Sequence, residues 1–198
     1  ALEIRLAAAE ALGQIGVATP EVVRGLAGLL SDADVASRLA AARALDAIGP
    51  AAVEATQALA ATLVDDDEYV VGAAAKALGR IGKGAAAAAP AVARLLGEFP
   101  SSMRPFFATV LGEIGVLDQD SVRALLNAAK GGGDRLRLAV IEAMGRARGG
   151  GPEGLAFLAG LLRDRSEQIR RAAVSALRAC GSDAAATAAA IVDYLPWA

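Results

Sequence analysis

One spacing recurs through the whole chain: similar residues return every 33 positions. Steps of 33 from Leu12 reach Leu45, Leu78, Leu111, Met144 and Leu177. Six copies of the unit therefore fill the 198 residues. A fixed period of this length is typical of solenoids, in which one repeat cannot bury its own apolar side chains and must stack on its neighbours.

The first part of each repeat has the pattern of an amphipathic helix. Ile4, Ala8, Leu12 and Ile15 follow one another at intervals of four and three, which places them on one stripe of a helix. We name this helix B and expect the stripe to be buried. Helix B is predicted to end at Gly16, because glycine suits the left-handed conformation that ends many helices. The same column contains Gly49, Gly82, Gly115 and Gly181.

The second part of each repeat is predicted to form another helix, which we name helix A. It begins near Pro20 in the first repeat and near Pro152 in the fifth, since proline is favoured in a first helical turn. The connection back to the next helix B is short and rich in Asp, Ser and Gly, which can cap a helix start. We expect about twelve helices and no strands.

The copies also share a detailed motif: an Asp-rich turn, a hydrophobic-Arg pair, two alanines, and an Ala-Leu-Gly-x-Ile-Gly ending. The ending is seen at residues 11–16 and 77–82, and in shortened form at 111–115. This motif resembles the short HEAT-like repeats first associated with phycobilisome lyases, and the resemblance covers essentially the whole chain. It implies an all-α fold, a right-handed α-solenoid of about six 33-residue helix-turn-helix repeats, with helix B lining a concave surface.

Three positions depart from the repeated motif. Val71 replaces the repeated Arg in the third repeat, and Arg148 replaces the terminal Gly in the fifth. Pro105 falls just inside helix B of the fourth repeat, which is tolerable only if that helix begins late, near Met103.

Composition argues against catalysis and against metal binding. The chain has no histidine, which removes the commonest acid–base residue and metal ligand. Its one cysteine, Cys180, lies in the column of buried Ile residues, so we expect it to be buried and inert. We therefore expect no catalytic residues, no metal and no cofactor.

A net charge of −2 argues against nucleic acid as a partner.

A column of arginines recurs at the same position of helix B. Its members are Arg5, Arg38, Arg104, Arg137 and Arg170. In families with this resemblance the equivalent Arg pairs with acids of the inter-repeat turn, and Asp32, Asp65, Glu98 and Asp164 supply such acids here. We interpret the Arg column as structural, with pairs that fix the register between repeats.

The solvent side of helix B is the candidate binding surface. The positions that interleave with the buried stripe include Glu3, Glu10 and Gln14 in the first repeat. The predicted partner-binding residues of the later repeats are Arg43, Tyr69, Lys76, Arg80, Phe106, Thr109, Glu113, Arg135, Glu142 and Arg146. Aromatic residues and Arg dominate binding hot spots, so Tyr69 and Phe106 surrounded by cations suggest an anchor for an acidic or helical segment. The alternative interpretation is that both rings only cover neighbouring alanines.

These observations predict a non-enzymatic scaffold or adaptor that binds a protein or peptide on its concave face. The resemblance implies one alternative, a bilin lyase subunit of the phycobilisome-lyase type, and a nucleic-acid-binding solenoid is a second.

Residues 1–198 are expected to form a single repeat domain with boundaries near 33, 66, 99, 132 and 165, either a whole solenoid or part of a longer one. No apolar run reaches the ~20 residues of a membrane span, and no signal-peptide pattern is present. We expect a cytoplasmic protein, a monomer or an end-to-end dimer, in which Trp197 seals the last helix.

Overall fold

The computed structural model describes residues 2–181, with Leu2 described in its backbone only. Trp197 lies outside the described residues. Within this range every regular element is helical and no strand occurs. The α-helices are α1 Leu2–Ile15, α2 Pro20–Leu29, α3 Val35–Ile48, α4 Thr56–Thr62, α5 Glu68–Ile81, α6 Ala89–Glu98, α7 Arg104–Ile114, α8 Gln119–Gly131, α9 Asp134–Arg146, α10 Pro152–Gly160 and α11 Glu167–Cys180.

Short 3₁₀ segments adjoin three of the A helices. Gly49–Ala55 precedes α4 and Gly82–Ala88 precedes α6. Arg148–Gly150 precedes α10, and Leu161–Arg163 follows it.

The chain divides into two compact units between Val92 and Ala93. In the first unit α1, α3 and α5 are B helices packed in succession, while α2 packs on α3 and α4 packs on α5. In the second unit α7, α9 and α11 are the successive B helices, while α8 packs on α9 and α10 packs on α11. Within each unit the arrangement is that of a helical-repeat solenoid, as predicted.

The buried stripe of helix B forms the core of each unit. Leu45, Leu78, Leu111 and Met144 are all fully buried. The B helices approach one another closely where a glycine faces an alanine. An added Cβ at Gly112 would lie 2.7 Å from the Cα of Ala143, and one at Gly13 would lie 2.9 Å from the Cα of Ala44.

The expected burial of this stripe is wrong for the first repeat. Ile4 is 70% exposed and Ile15 is 68% exposed, although their counterparts in α5, Val70 and Ile81, are buried. The physical reason is the neighbour: α4 covers the stripe of α5, whereas no described helix A covers the stripe of α1.

The predicted helix ends are confirmed by the backbone. All five glycines of the terminal column have a positive φ of 60–70°: Gly16, Gly49, Gly82, Gly115 and Gly181. In the fifth repeat Arg148 itself has φ 52°, and it is the one non-glycine residue with positive φ in the described chain. The turn geometry is thus kept where the glycine is missing, at a cost in backbone strain.

The prolines also lie where the sequence predicts. Pro20 and Pro152 open α2 and α10. Pro105 lies in the first turn of α7, which begins at Arg104 after Met103. Cys180 is 2% exposed, as expected.

Capping by the inter-repeat turn is confirmed for two B helices. The carboxylate of Asp34 accepts a hydrogen bond from the backbone N–H of Ser37, and that of Asp67 accepts from Tyr69 and Val70. The equivalent positions before α9 and α11, Gly133 and Ser166, provide no such side-chain bond.

Candidate functional site

The exposed side of helix B contains an open groove in the first unit. Its volume is about 530 Å³ and it lies between α1 and α3. The side chains of Leu6 and Leu39 provide apolar surface, and Glu10, Gln14 and Arg43 provide polar groups. The groove therefore has an apolar floor, and three of the exposed helix-B residues predicted from the sequence line it: Glu10, Gln14 and Arg43.

A groove of similar size lies on the B helices of the second unit. Its volume is about 580 Å³. It is lined by Pro105, Phe106, Thr109, Asp134, Arg135, Leu138, Ala139, Glu142 and Gln168. Four of the predicted binding residues are brought together here: Phe106, Thr109, Arg135 and Glu142.

The two grooves occupy the same position of the repeat, 99 residues apart, which is three periods of 33. Leu6 corresponds to Pro105 and Leu39 corresponds to Leu138, so the floor is apolar in both. Arg43 corresponds to Glu142, so the sign of the charge beside the floor is reversed. The fold thus repeats the shape of the groove while the sequence changes its chemistry.

Phe106 is held in a cluster of aromatic rings. Its ring centroid lies 5.2 Å from that of Phe107 at an interplanar angle of 63°, and Phe107 in turn contacts Phe99 at 5.0 Å. Phe107 is fully buried, whereas Phe106 is half-buried. Tyr69, by contrast, is 76% exposed at the start of α5 and does not line the groove of its unit.

The hydroxyl of Thr109 is already engaged. It donates to the backbone carbonyl of Pro105 at 3.0 Å, one turn earlier in α7. Its methyl group is therefore what Thr109 offers to the groove.

Two of the predicted cations bind a carboxylate that the sequence reasoning missed. The Nζ of Lys76 lies 2.8 Å from Oδ2 of Asp46, and the Nε of Arg80 lies 3.9 Å from Oδ1 of the same residue. Asp46 stands in a column otherwise occupied by Gly13, Gly79, Gly112, Gly145 and Arg178. A carboxylate in a column of glycines, 30 and 34 residues before two cations, is the signal that could have revealed it.

The remaining charges of the candidate binding surface differ in how far they are paired. Arg146 lies 4.0 Å from Glu113, both partly exposed. Arg43 and Arg135 are exposed and form no ion pair with any described residue. Arg43 and Arg135 are consequently the cations of this surface that lack an internal acidic partner within residues 2–181.

The Arg column makes a recurrent contact with the turns. Arg5 pairs with Asp32, Arg38 with Asp65 at 2.6 Å, and Arg137 with Asp164, in each case 27 residues later. The Arg38 and Arg137 pairs are bidentate.

These hydrogen bonds shift the proton affinities of both partners. The guanidinium of Arg38 lowers the pKa of Asp65, and the guanidinium of Arg137 lowers the pKa of Asp164. The same hydrogen bonds raise the pKa of each arginine. Both carboxylates therefore stay ionised at a lower pH than a free aspartate does.

Two members of the Arg column donate to backbone carbonyls and form no ion pair with a described residue. Nη1 of Arg170 donates to the carbonyl oxygens of Asp164 and Arg165, and Nε of Arg104 donates to that of Phe99. Glu98, assigned to the acid column from the sequence, is exposed and forms no ion pair with a described residue.

Residues 2–181 contain no cluster of metal-ligating side chains. None of the described helices is both long enough and apolar enough to cross a membrane.

The stacked helix pairs and their exposed B helices define a helical-repeat protein. Family models for HEAT repeats match residues 23–105 and 93–178, and the model for the PBS lyase HEAT-like repeat matches residues 4–32. The chain belongs to the HEAT repeat proteins. A search of curated proteins gives no match.

Solved structures of engineered repeat proteins share the fold. An engineered protein aligns with a TM-score of 0.64 at 21% identity over 90% of each chain. A designed armadillo repeat protein in complex with the peptide (KR)4 aligns with a TM-score of 0.65 at 17% identity, over 88% of this chain and 92% of that one. At these identities the similarity shows the fold alone.

Proposed function

We propose that this chain is a non-enzymatic scaffold that binds a protein or peptide segment on the exposed side of its B helices. The observation that carries the proposal is the groove that recurs at the same repeat position in both units, with Leu6 and Leu39 in one and Pro105 and Leu138 in the other. An open groove with an apolar floor and convergent charged groups suits side-chain recognition.

The groove of the second unit indicates the chemistry of the segment. An apolar side chain fits the floor between Pro105 and Leu138, against the ring of Phe106. A neighbouring carboxylate on the segment would pair with Arg135, which has no acidic partner among the described residues. Burial of an aromatic contact beside a charge-assisted hydrogen bond is the composition of a binding hot spot.

Support for peptide binding also comes from the fold class. One of the similar structures, a designed armadillo repeat protein, was solved with a peptide bound. That peptide is basic, whereas the unpaired cations Arg43 and Arg135 favour acidic groups on a segment bound here.

Selection from a random peptide library tests the proposal. The full chain and its Phe106→Ala/Arg135→Glu variant would be immobilised and screened against the same phage-displayed peptides. We expect the unchanged chain to enrich peptides with an apolar residue next to Asp or Glu, and the variant to lose them. The matched control is Arg94→Glu, a charge reversal at an exposed position of helix α6. Equal enrichment by the groove variant would overturn the site.

A second candidate function rests on the match of residues 4–32 to the PBS lyase HEAT-like repeat. In a bilin lyase subunit, Arg135 and Arg146 would face the propionates of a linear tetrapyrrole. Titration of the chain with a free bilin tests this directly. A shift in visible absorbance, lost in Arg135→Glu, would favour it over peptide binding, and an unchanged spectrum would remove it.

A further inference from the structure

The second unit contains a cleft beside the turns that join successive repeats, which we name the turn cleft. It has a volume of about 660 Å³ and lies between the end of α8, the start of α9 and the end of α10. Its apolar lining comes from Phe157 and Leu161, which are half-buried, and from Ala129. Of the residues that line the groove on the B helices of this unit, only Asp134 also lines the turn cleft. The two are therefore separate sites.

Two cations that line the turn cleft have no acidic partner. Lys130 and Arg165 are exposed, and neither forms an ion pair with any residue between positions 2 and 181. Lys130 has one long hydrogen bond, 3.5 Å from its Nζ to Oδ1 of Asn127. The two carboxylates that line the cleft both pair with Arg137. The charge of Lys130 and Arg165 is thus available to an anion.

A hydroxyl group is also available at the turn cleft. Ser166 lines the cleft and has the N-cap position of α11, but its side chain accepts no hydrogen bond from that helix. The residue at the equivalent position before α5, Asp67, accepts from two backbone N–H groups. Because the Ser166 hydroxyl is not used for capping, it can donate to an oxygen of a ligand.

The same position of the repeat in the first unit has a different chemistry. The turns there are joined in the same way, since Arg38 pairs with Asp65 as Arg137 pairs with Asp164. The cations and the aromatic ring are absent, so they are not needed to join the turns. The residues 99 positions before Lys130, Phe157, Arg165 and Ser166 are Ser31, Ala58, Asp66 and Asp67.

We infer that the turn cleft binds an aryl phosphate monoester. A phosphate monoester has about two negative charges at neutral pH and three acceptor oxygens, which match Lys130, Arg165 and the hydroxyl of Ser166. A single carboxylate would match only one of the two cations. The aromatic group of the ligand would lie against Phe157 and Leu161, where its burial adds to the affinity. The cleft is large enough for such a ligand, because small-molecule sites have volumes of about 300–1,000 Å³.

Isothermal titration calorimetry of the full chain with 1-naphthyl phosphate at neutral pH tests the inference. We expect saturable binding that Lys130→Glu/Arg165→Glu weakens at least ~10-fold, because two charge-assisted hydrogen bonds are lost. Both side chains are exposed, so circular dichroism should show unchanged helicity. The matched control is Lys83→Glu/Arg94→Glu, which reverses one lysine and one arginine at other exposed positions and should bind normally. Equal weakening by the control would assign the effect to overall charge and overturn the site.

Two related compounds separate the contributions of charge and of apolar contact. Inorganic phosphate lacks the aromatic group and 1-naphthol lacks the charge, so each should bind at least ~10-fold more weakly than 1-naphthyl phosphate. Inorganic phosphate that binds as tightly would contradict the role of Phe157 and Leu161. Equally tight binding of 1-naphthol would contradict the role of the cations.

An aryl phosphate can be a free small molecule or the side chain of a phosphotyrosine. A short glycine-flanked phosphotyrosine peptide, titrated in the same way, distinguishes these sources. Tighter binding of the peptide would support a phosphorylated segment, and tighter binding of 1-naphthyl phosphate would support a small molecule. Binding of neither, or binding that survives Lys130→Glu/Arg165→Glu, would overturn the inference. Because these variants leave Phe106 and Arg135 unchanged, failure here and failure of the peptide selection can be told apart.

Discussion

Arg38 and Asp65 lie 27 residues apart and are joined by two hydrogen bonds, from Nε to Oδ2 at 2.6 Å and from Nη2 to Oδ1 at 2.9 Å. Nη1 of the same Arg38 reaches back to the carbonyls of Asp32 and Ala33. One guanidinium therefore fastens the turn before α3 to the turn before α5.

Loss of this pair should destabilise the protein. In Asp65→Asn the guanidinium of Arg38, 15% exposed, loses its counter-charge, so we expect the Tm to fall by roughly 5 °C in thermal unfolding followed by circular dichroism. Asp32→Asn is the control, since its partner Arg5 is far more exposed and such pairs contribute little. Equal losses in both variants would show that the recurrence of the pair, and not its burial, decides its strength.

Stability should decrease in acid through Asp65 and Asp164. Their pKa values are lowered in the folded protein, so each contributes stability that is fully present above the unfolded pKa, near 4, and is lost as the pH falls through the folded pKa. Urea midpoints measured from pH 7 to pH 2 should be flat down to about pH 4 and then decline. In Asp65→Asn/Asp164→Asn the acid decline should be shallower, and an unchanged slope would assign it to other carboxylates.

Replacement of Arg148 by glycine should stabilise the protein. Its φ of 52° places an L-residue in the left-handed region, which costs roughly 1–2 kcal/mol, partly offset by the greater flexibility of unfolded glycine. We expect Arg148→Gly to raise the free energy of unfolding by up to about 1 kcal/mol. Gly115→Ala, at φ 69°, should lower it by a comparable amount. A neutral result for both would mean that these turns adjust their backbone.

Replacement of Ser37 by alanine should stabilise the protein. Its side chain is 1% exposed and its Oγ has no hydrogen-bond partner in the structure, in a column where the other repeats have Val70 and Ile169. Ser37→Ala removes a buried unsatisfied hydroxyl, and chemical denaturation should show a gain of about 1 kcal/mol. Ser175→Ala, at an exposed site of α11, should change little.

Removal of the Asp46 charge should strengthen binding of acidic segments. In Asp46→Asn, Lys76 and Arg80 lose the carboxylate that they share, which leaves two cations on the exposed side of α5. We expect a several-fold lower Kd for an acidic peptide that binds the B helices of the first unit, with a steeper dependence on salt. Asp120→Asn on α8 changes the net charge equally, and an identical effect there would point to overall charge.

The helix ends could be predicted because glycine and proline act on the backbone at their own positions. Positive φ at Gly16 and Gly115 follows from the glycine column, and the late start of α7 follows from Pro105. The stripe pattern identified which side of helix B is apolar. It could not tell that Ile4 would be exposed, because a stripe specifies a surface and not the neighbour that covers it.

The candidate site could be predicted only in part. Phe106, Thr109, Arg135 and Glu142 do share a groove, because residues at matching repeat positions line the same side of adjacent helices. The pairing of Lys76 with Asp46 was missed because it joins different columns of successive repeats. A column compares equivalent positions of the repeats, so it does not reveal ion pairs between different columns.

The 27-residue separation within each Arg–Asp pair is shorter than the 33-residue period. Duplication of residues 35–67, one period that contains both Arg38 and Asp65, would therefore add a second pair at the same separation. A repeat that contains its own arginine and aspartate brings the contact that joins its turns with it, so the number of repeats, and with it the length of the candidate binding surface, can change without a change of fold.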